Sequence, residues 1–261
     1  MDFAISQLTR IGARETNEDR AAYVRSRESL LLVLADGMGG HAYGEVAAEI
    51  AVRTVAANFQ REAQPRLERP GAFIEETLMA AHVAIVEQAL ADRLEEIPGT
   101  TCVACVVQDG QAWWGHAGDS RLYHLRDGRV LARTRDHTLT RQMADLAGLS
   151  EEEEAALAGR NILYSCIGGY GRPELDLAAP VTLTGGDLLL LCSDGLWGPF
   201  SDQEVGAALA AASLARALAQ FAVEAEVRNG YLCDNITAIA VAWGRHEDGA
   251  RPAPAGLIVR A

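Results

Sequence analysis

The chain has 261 residues, a formal net charge of −13 at pH 7 and a pI near 4.9. That field repels nucleic acid and anionic membrane surfaces. No apolar run approaches the roughly 18 residues that span a bilayer, and Met1 to Arg10 lacks the pattern of a secretory leader. We therefore expect a cytoplasmic protein that binds neither membrane nor nucleic acid. Five cysteines, an odd number, suit a reducing compartment.

Short apolar runs separated by polar turns predict strands over Phe3 to Leu8, Ala21 to Ser26 and Leu30 to Ala35. Val46, Ala47, Ile50, Ala51 and Val55 keep helical spacing, and a second helix is predicted from Ala72 to Leu94, after Pro65 and Pro70. A meander follows: Thr101 to Val107, Ala112 to Ala117, Arg121 to Leu125 and Val130 to Thr134. Asp109-Gly110 and Asp127-Gly128 stand at hairpin spacing within it. His137 to Gly159 reads as a polar helix in which Glu151 to Glu154 form a solvated start. Strands return at Val181 to Leu183 and Asp187 to Cys192, then helices over Ser201 to Val227 and a last strand from Ile236 to Trp243. With no internal linker, the expectation is one domain over 1–244 and a loosely ordered tail over 245–261. Strands in blocks with helix pairs between them indicate an α+β fold of largely antiparallel sheets.

Cys102 and Cys105 form a Cys-x-x-Cys, but on a strand residues three apart point to opposite faces, so no redox or zinc pair is expected.

Two other Asp-Gly pairs close strongly apolar runs: Asp36-Gly37 after Leu30 to Ala35, and Asp194-Gly195 after Leu188 to Ser193. Either alone reads best as a turn. A buried run that stops at a carboxylate nevertheless needs water, a partner or a metal to offset desolvation. Asp19, Asp119 and Asp234 are also expected at strand edges, and antiparallel sheets bring the end of one strand and the start of the next to a common rim. Converging carboxylates raise each other's pKa unless a cation neutralises them. An oxygen-only set selects Mg²⁺ or Mn²⁺ over zinc or copper. Two such ions about 3.5–4 Å apart activate a bridging water and clamp a phosphoryl oxygen. Gly37, lacking a side chain, would let its carbonyl approach an ion. Arg14 is the natural phosphate clamp and His41 a proton donor. Taken singly, a surface role for Arg14 and local hydrogen bonding for His41 are as good a reading.

Arg14-x-x-Asn17-Glu18-Asp19, Asp36-Gly37-Met38-Gly39-Gly40-His41, Gly99-Thr100-Thr101, Gly118-Asp119-Ser120-Arg121, Asp136-His137, Ser193-Asp194-Gly195 and Asp234-Asn235 together resemble the ordered motifs of metal-dependent protein phosphatases of the 2C type. The resemblance runs from about Phe3 to Trp243, and the order of the motifs is far more specific than any one of them. It implies an αββα sandwich of two mostly antiparallel sheets flanked by helix pairs, with a dinuclear Mn²⁺ or Mg²⁺ site at one end. By position, Asp36 would bridge both ions, Gly37 would give its carbonyl to one, and Asp194 and Asp234 would complete the other. Glu18 or Asp19 would hold metal-bound water, and Asp119 with Asp194 would hold a third, weaker ion seen in bacterial members.

The implied activity is hydrolysis of phosphoserine and phosphothreonine by direct attack of metal-bound water, without a phosphoenzyme, by a monomer opposing a protein kinase. The alternative is a catalytically silent phosphoprotein-binding module of the same fold. Where many bacterial members carry an Arg this chain has Ser165, and Thr138 to Asn161 would correspond to the family's flap, so substrate choice is where the departure bears.

Overall fold

A computed structural model of the chain describes residues 1–38, 43–150, 153, 162–210, 213–244 and 258–260. Along the chain run β1 (Phe3–Arg10), β2 (Asp19–Arg25), β3 (Ser29–Met38), α1 (Gly44–Glu62), α2 (Pro70–Ala91), β4 (Gly99–Thr100), β5 (Cys102–Gln108), β6 (Gln111–Ala117), β7 (Arg121–Arg126) and β8 (Arg129–Arg133). Then come α3 (Leu139–Ala147), β9 (Ile167–Gly168), β10 (Asp176–Leu177), β11 (Val181–Thr182), β12 (Leu188–Cys192), α4 (Asp194–Trp197), α5 (Asp202–Ala208), α6 (Leu214–Asn229), β13 (Ile236–Trp243) and β14 (Ile258–Arg260).

The strands form two antiparallel sheets. One is ordered β1-β13-β12-β7-β8, the other β10-β6-β5-β3-β2-β14, with β11 also on β6 and the short β4 and β9 extending from β3. Strand alternation sorts the side chains into three apolar layers. Leu30, Leu32 and Leu34 of β3 face Leu189, Leu191, Ile239 and Val241 of the opposite sheet. Leu31, Val33 and Ala35 face α1 and α2, while Leu190, Ala238 and Ala240 face α6. Burial on both faces explains why Leu30 to Leu34 is a continuous run instead of an alternating one. Each fully buried Leu contributes about 2 kcal/mol. The result is the expected αββα sandwich.

Cys102 belongs to the helix-side layer and Cys105 to the layer between the sheets, as strand periodicity predicts. The two hairpin turns also stand as read. Asp109 and Gly110, then Asp127 and Gly128, have φ of 52°, 70°, 50° and 73°, the positive pairs of a two-residue turn whose twist matches the strands.

Elsewhere the boundaries differ. The predicted helix over His137 to Gly159 ends at Ala147, because Gly148 takes a left-handed φ of 66° and caps it. Beyond Ser150 and apart from Glu153, the rest of its C-terminal part, with most of the Glu151 to Glu154 run, lies outside the described residues. The helices expected over Ser201 to Val227 are α5 and α6, the second running on to Asn229, and a capping box between Ser201 and Glu204 fixes the start of the first. Within the expected tail, Ile258–Arg260 pairs antiparallel with Ala21 to Tyr23 of β2.

Candidate metal centre

The site forms where β2, β3, β12 and β13 reach one end of the sandwich. Asp19 opens β2 and stands directly opposite Asp36. Asp36 does not end β3: the strand continues through Gly37 and Met38, because these pair with Thr100 and Gly99 of β4. The backbone of Asp36 is held from three directions. Its carbonyl accepts from Thr100 Oγ1 and Thr101 N–H, both at 2.8 Å, and its N–H donates to Thr101 Oγ1 at 2.9 Å. Thr101 Oγ1 in turn meets Ser120 Oγ at 2.7 Å. The Gly99-Thr100-Thr101 and Gly118-Asp119-Ser120-Arg121 motifs therefore act partly as a brace beneath Asp36.

Asp194 follows β12 and opens α4, with the N–H of Gly198 bonding to its backbone carbonyl at 2.8 Å. Asp234 precedes β13, and its Oδ1 accepts from Asn235 N–H at 2.8 Å. Asp119 lies in the turn between β6 and β7. Trp197 of α4 donates to the Asp119 carbonyl at 3.1 Å, and the Arg121 guanidinium lies 3.3 Å from the centroid of that indole. Arg121 is itself fixed by a two-pronged bond to Asp136 at 2.8 and 2.7 Å. Trp197 thus ties the Asp119 turn to the helix that carries Asp194, and the Arg121–Asp136 ion pair holds the guanidinium over its indole.

Electrostatics show that these carboxylates share one space. Burial, then the charges of Asp19, Asp194, Asp119 and Asp234, push Asp36 well above the usual carboxylate range. Asp19 is pushed up to about 7, first by burial, although bonds from Ser193 and Thr237 pull it down. Asp194 rises to about 6 through burial and the charge of Asp234, and Asp119 rises through burial and the charge of Asp194. Glu18 is raised as well, mostly by burial, against the pull of Arg14. Among the described residues, Asp19 Oδ1 and Asp194 Oδ1 are buried without a hydrogen-bond partner. Two orphaned carboxyl oxygens in an all-oxygen, mutually repelling cluster are what a hard divalent cation would satisfy. The residues present fit Mn²⁺ or Mg²⁺.

Gly37 and Gly44 are required by close approach. A Cβ on Gly37 would lie 2.2 Å from the Gly44 carbonyl oxygen and 2.9 Å from that of Glu18, and one on Gly44 would lie 2.5 Å from Glu18 Oε2. The start of α1 is seated on the strand that carries Asp36. Gly195 does more than turn the chain: a Cβ there would lie 2.2 Å from the Asn235 carbonyl oxygen.

Arg14 is exposed at the rim, with one guanidinium nitrogen 2.6 Å from Asp234 Oδ2. The structure thus brings Arg14, Glu18, Asp19, Asp36, Gly37, Asp119, Asp194 and Asp234 to one end of the fold, whereas His41 lies outside the described residues. Sequence reasoning missed the positioning residues. Asn235 donates to the Ile11 and Thr16 carbonyls at 2.9 Å and accepts from Glu18 N–H at 2.8 Å, which pins the loop bearing Arg14 and Glu18. Ser193 Oγ donates to Asp19 Oδ2 at 2.8 Å. Both residues sit inside the quoted motifs, beside the acids that drew attention. Ser165, the departure from the family pattern, is buried and exchanges bonds with the Glu174 backbone, donating to its carbonyl at 2.8 Å and accepting from its N–H at 3.0 Å.

The sequence profile described as Protein phosphatase 2C matches residues 8–230. The serine/threonine phosphatase stp of Listeria welshimeri serovar 6b is 31% identical over 232 residues, 87% of this chain and 90% of that protein. The solved Streptococcus agalactiae serine/threonine phosphatase superposes with a TM-score of 0.81 at 29% identity, covering 92% of this chain and 99% of the other. The catalytic domain of the serine/threonine protein phosphatase PstP, solved with two manganese ions, superposes with a TM-score of 0.76 at 30% identity, over 92% of this chain and 97% of that one.

Proposed function

The chain belongs to the protein phosphatase 2C family, and from that premise we propose the part each of its residues plays. It is a metal-dependent serine/threonine phosphatase that uses Mn²⁺ or Mg²⁺. Bound ions supply Lewis acidity, lowering the pKa of the attacking water and neutralising charge on the phosphoryl oxygens.

Asp36 would be the shared ligand, Gly37 would offer its carbonyl to one ion, and Asp194 and Asp234 would serve the other. Glu18 or Asp19 would hold water around the pair, and Asp119 with Asp194 would serve a third ion. The observation that carries this reading is the pair of buried, unpartnered oxygens on Asp19 and Asp194 within a cluster of acids that raise one another's pKa.

Arg14 places its planar fork on the phosphate, releasing or sharing Asp234 as it does so. His41 donates a proton to the departing alcohol oxygen. Neither serine serves as a nucleophile: Ser193 and Ser120 are buried beneath the carboxylates at 0% and 1% exposure, where a protein-bound phosphate does not reach. This supports direct attack by water without a phosphoenzyme.

The physiological substrates are phosphoproteins of a cognate serine/threonine kinase, and the enzyme works as a cytoplasmic monomer in signalling. No helix among the described residues is long and apolar enough to cross a membrane. The acidic surface, with a formal charge of −13, supports the absence of nucleic acid from its partners. Saturating Mn²⁺ should release phosphate from phosphothreonine peptides, unaffected by thiol-blocking reagents, because the proposed ligand set is oxygen-only and includes no cysteine. Normal phosphopeptide binding without turnover would favour the silent binding module instead.

A further inference from the structure

A second constellation of metal-ligating side chains lies outside the carboxylate centre. His116 of β6, His137 ahead of α3 and Asp176 of β10 each offer a ligand atom, and these atoms lie within 4.8 Å of one another. Both histidines are buried, His116 at 2% and His137 at 1% exposure. Asp176 is the cross-strand partner of His116, and its carboxylate approaches His137 Nε2 at 3.4 Å.

The ring chemistry of His116 points to a ligand. Its Nε2 lies 2.7 Å from the Arg135 carbonyl, which can only accept, so Nε2 carries the proton and donates it. The lone pair is therefore on Nδ1, and that atom is buried without a partner among the described residues. An imidazole that gives one N–H to a backbone carbonyl and turns a bare nitrogen inward is the arrangement that orients a metal-binding histidine. Burial and the neighbouring His137 lower the His116 pKa to about 4, so the ring stays neutral and its lone pair stays available at neutral pH. His137 is held in place by its ring neighbours, with centroids 4.6 Å from His116 and 5.2 Å from Tyr164.

We propose that His116 Nδ1, His137 Nε2 and the Asp176 carboxylate form a site for a borderline-soft divalent ion of the zinc class, separate from the oxygen-only centre. Two imidazoles and one carboxylate are a zinc donor set with an open fourth position, whereas hard Mg²⁺ prefers the carboxylate cluster. Closing the three atoms from at most 4.8 Å to the roughly 3.3 Å edge of a tetrahedron with ~2.0 Å bonds asks for up to about 1.5 Å of closure. The exposed Asp176 side chain can supply much of it. Metal on His137 Nε2 shifts that ring's proton to Nδ1 and gives up the 3.4 Å bond from Gly118 N–H. Because the ligands come from β6, β10 and the segment that leads into α3, the ion would tie the base of α3 to the sheet.

The test is a zinc titration of the full chain by calorimetry in saturating Mg²⁺, repeated with Co²⁺ and followed by visible absorption. Wild type should bind one equivalent of Zn²⁺, and the Co²⁺ form should show the intense bands of a four-coordinate site with nitrogen ligands. His116→Gln should weaken zinc by at least about tenfold. Asp176→Asn, a surface change that leaves the core untouched, should weaken it comparably and decides the matter if His116→Gln does not fold. Equal zinc affinity in wild type and Asp176→Asn, or no zinc bound in Mg²⁺, would overturn the site.

Discussion

Asp19 and Asp36 face each other across β2 and β3 as a register pair, two acids where an antiparallel ladder normally avoids like charges. The apolar layers of the sandwich hold both strands in register, so the repulsion is not relieved by slippage. Bound protons or a cation are the remaining remedies, and near neutral pH a cation is the better one. Replacing Asp36 with Asn keeps its shape and every backbone bond to Thr100 and Thr101 while removing the charge. Mn²⁺ binding and turnover should then fall together, by more than about a hundredfold, since even outer-shell changes at metal sites cost 10–100-fold. Calorimetry with Mn²⁺ and phosphopeptide kinetics on the same preparation check this; full turnover would show that the ion lies elsewhere.

Ser193 tests the supporting layer. Its hydroxyl donates to Asp19 Oδ2 and accepts the Thr237 N–H at 3.0 Å. Ser193→Ala should raise the Mn²⁺ concentration needed for half-maximal activity by about 10–100-fold. Leaving the buried Thr237 N–H without its acceptor should cost about 1–3 kcal/mol of stability. A loss of stability with unchanged Mn²⁺ dependence would make Ser193 a packing residue only.

How much of this was legible in the sequence depends on whether the signal is local. The Leu30 to Ala35 and Leu188 to Cys192 runs announce buried strands, and Asp109-Gly110 and Asp127-Gly128 announce turns, because period and turn chemistry are properties of a few adjacent residues. Asp36-Gly37 looks the same locally, yet it lies inside β3. What extends the strand is the pairing with β4, two residues with no pattern of their own. Asn235 is silent for a similar reason: its bonds to Ile11, Thr16 and Glu18 join opposite ends of the chain. The acids were found through their motifs, but the side chains that aim them act through contacts that no short window contains.

Gly37 separates the two reasons for a glycine at the centre. If only its carbonyl mattered, alanine would be tolerated, but a Cβ would lie 2.2 Å from the Gly44 carbonyl. Gly37→Ala should therefore displace α1 from β3 and lower stability by about 1–3 kcal/mol, the usual cost of overpacking. Urea denaturation in chelator measures this without contribution from metal; unchanged stability would show that the seat of α1 yields freely.

Arg14 is exposed and touches Asp234 through one nitrogen, so its replacement should leave the fold intact. Arg14→Lys keeps the charge and loses the planar fork. KM for a phosphothreonine peptide should rise by about tenfold, with a smaller change in kcat and an unaltered Mn²⁺ requirement. That outcome corresponds to losing about 1.4 kcal/mol of binding. An equal fall in kcat and kcat/KM would instead place Arg14 in the transition state alone.

The last expectation concerns pH. Asp19 and Asp194, raised to about 7 and about 6, hold protons in the metal-free fold that the unfolded chain has already released. The contribution of these carboxyls to stability is therefore fully present below about pH 4 and is lost as pH rises toward 7. His116, lowered to about 4, has the opposite sign: the unfolded ring takes up a proton that the folded one refuses, so its contribution grows as pH rises from about 4 to about 6.5. Its slope is common to chelated and Mn²⁺-loaded protein as long as no ion reaches His116, and it cancels in the difference between them. Mn²⁺ replaces the shared protons and the repulsion together, so the gain in Tm on adding Mn²⁺ over EDTA should increase steadily from pH 5 to pH 7.5. Calorimetric scans in zinc-free buffer at fixed Mn²⁺ across that range measure it. A gain independent of pH would mean that Asp19 and Asp194 are already ionised without metal and that the cluster is less crowded than its geometry indicates.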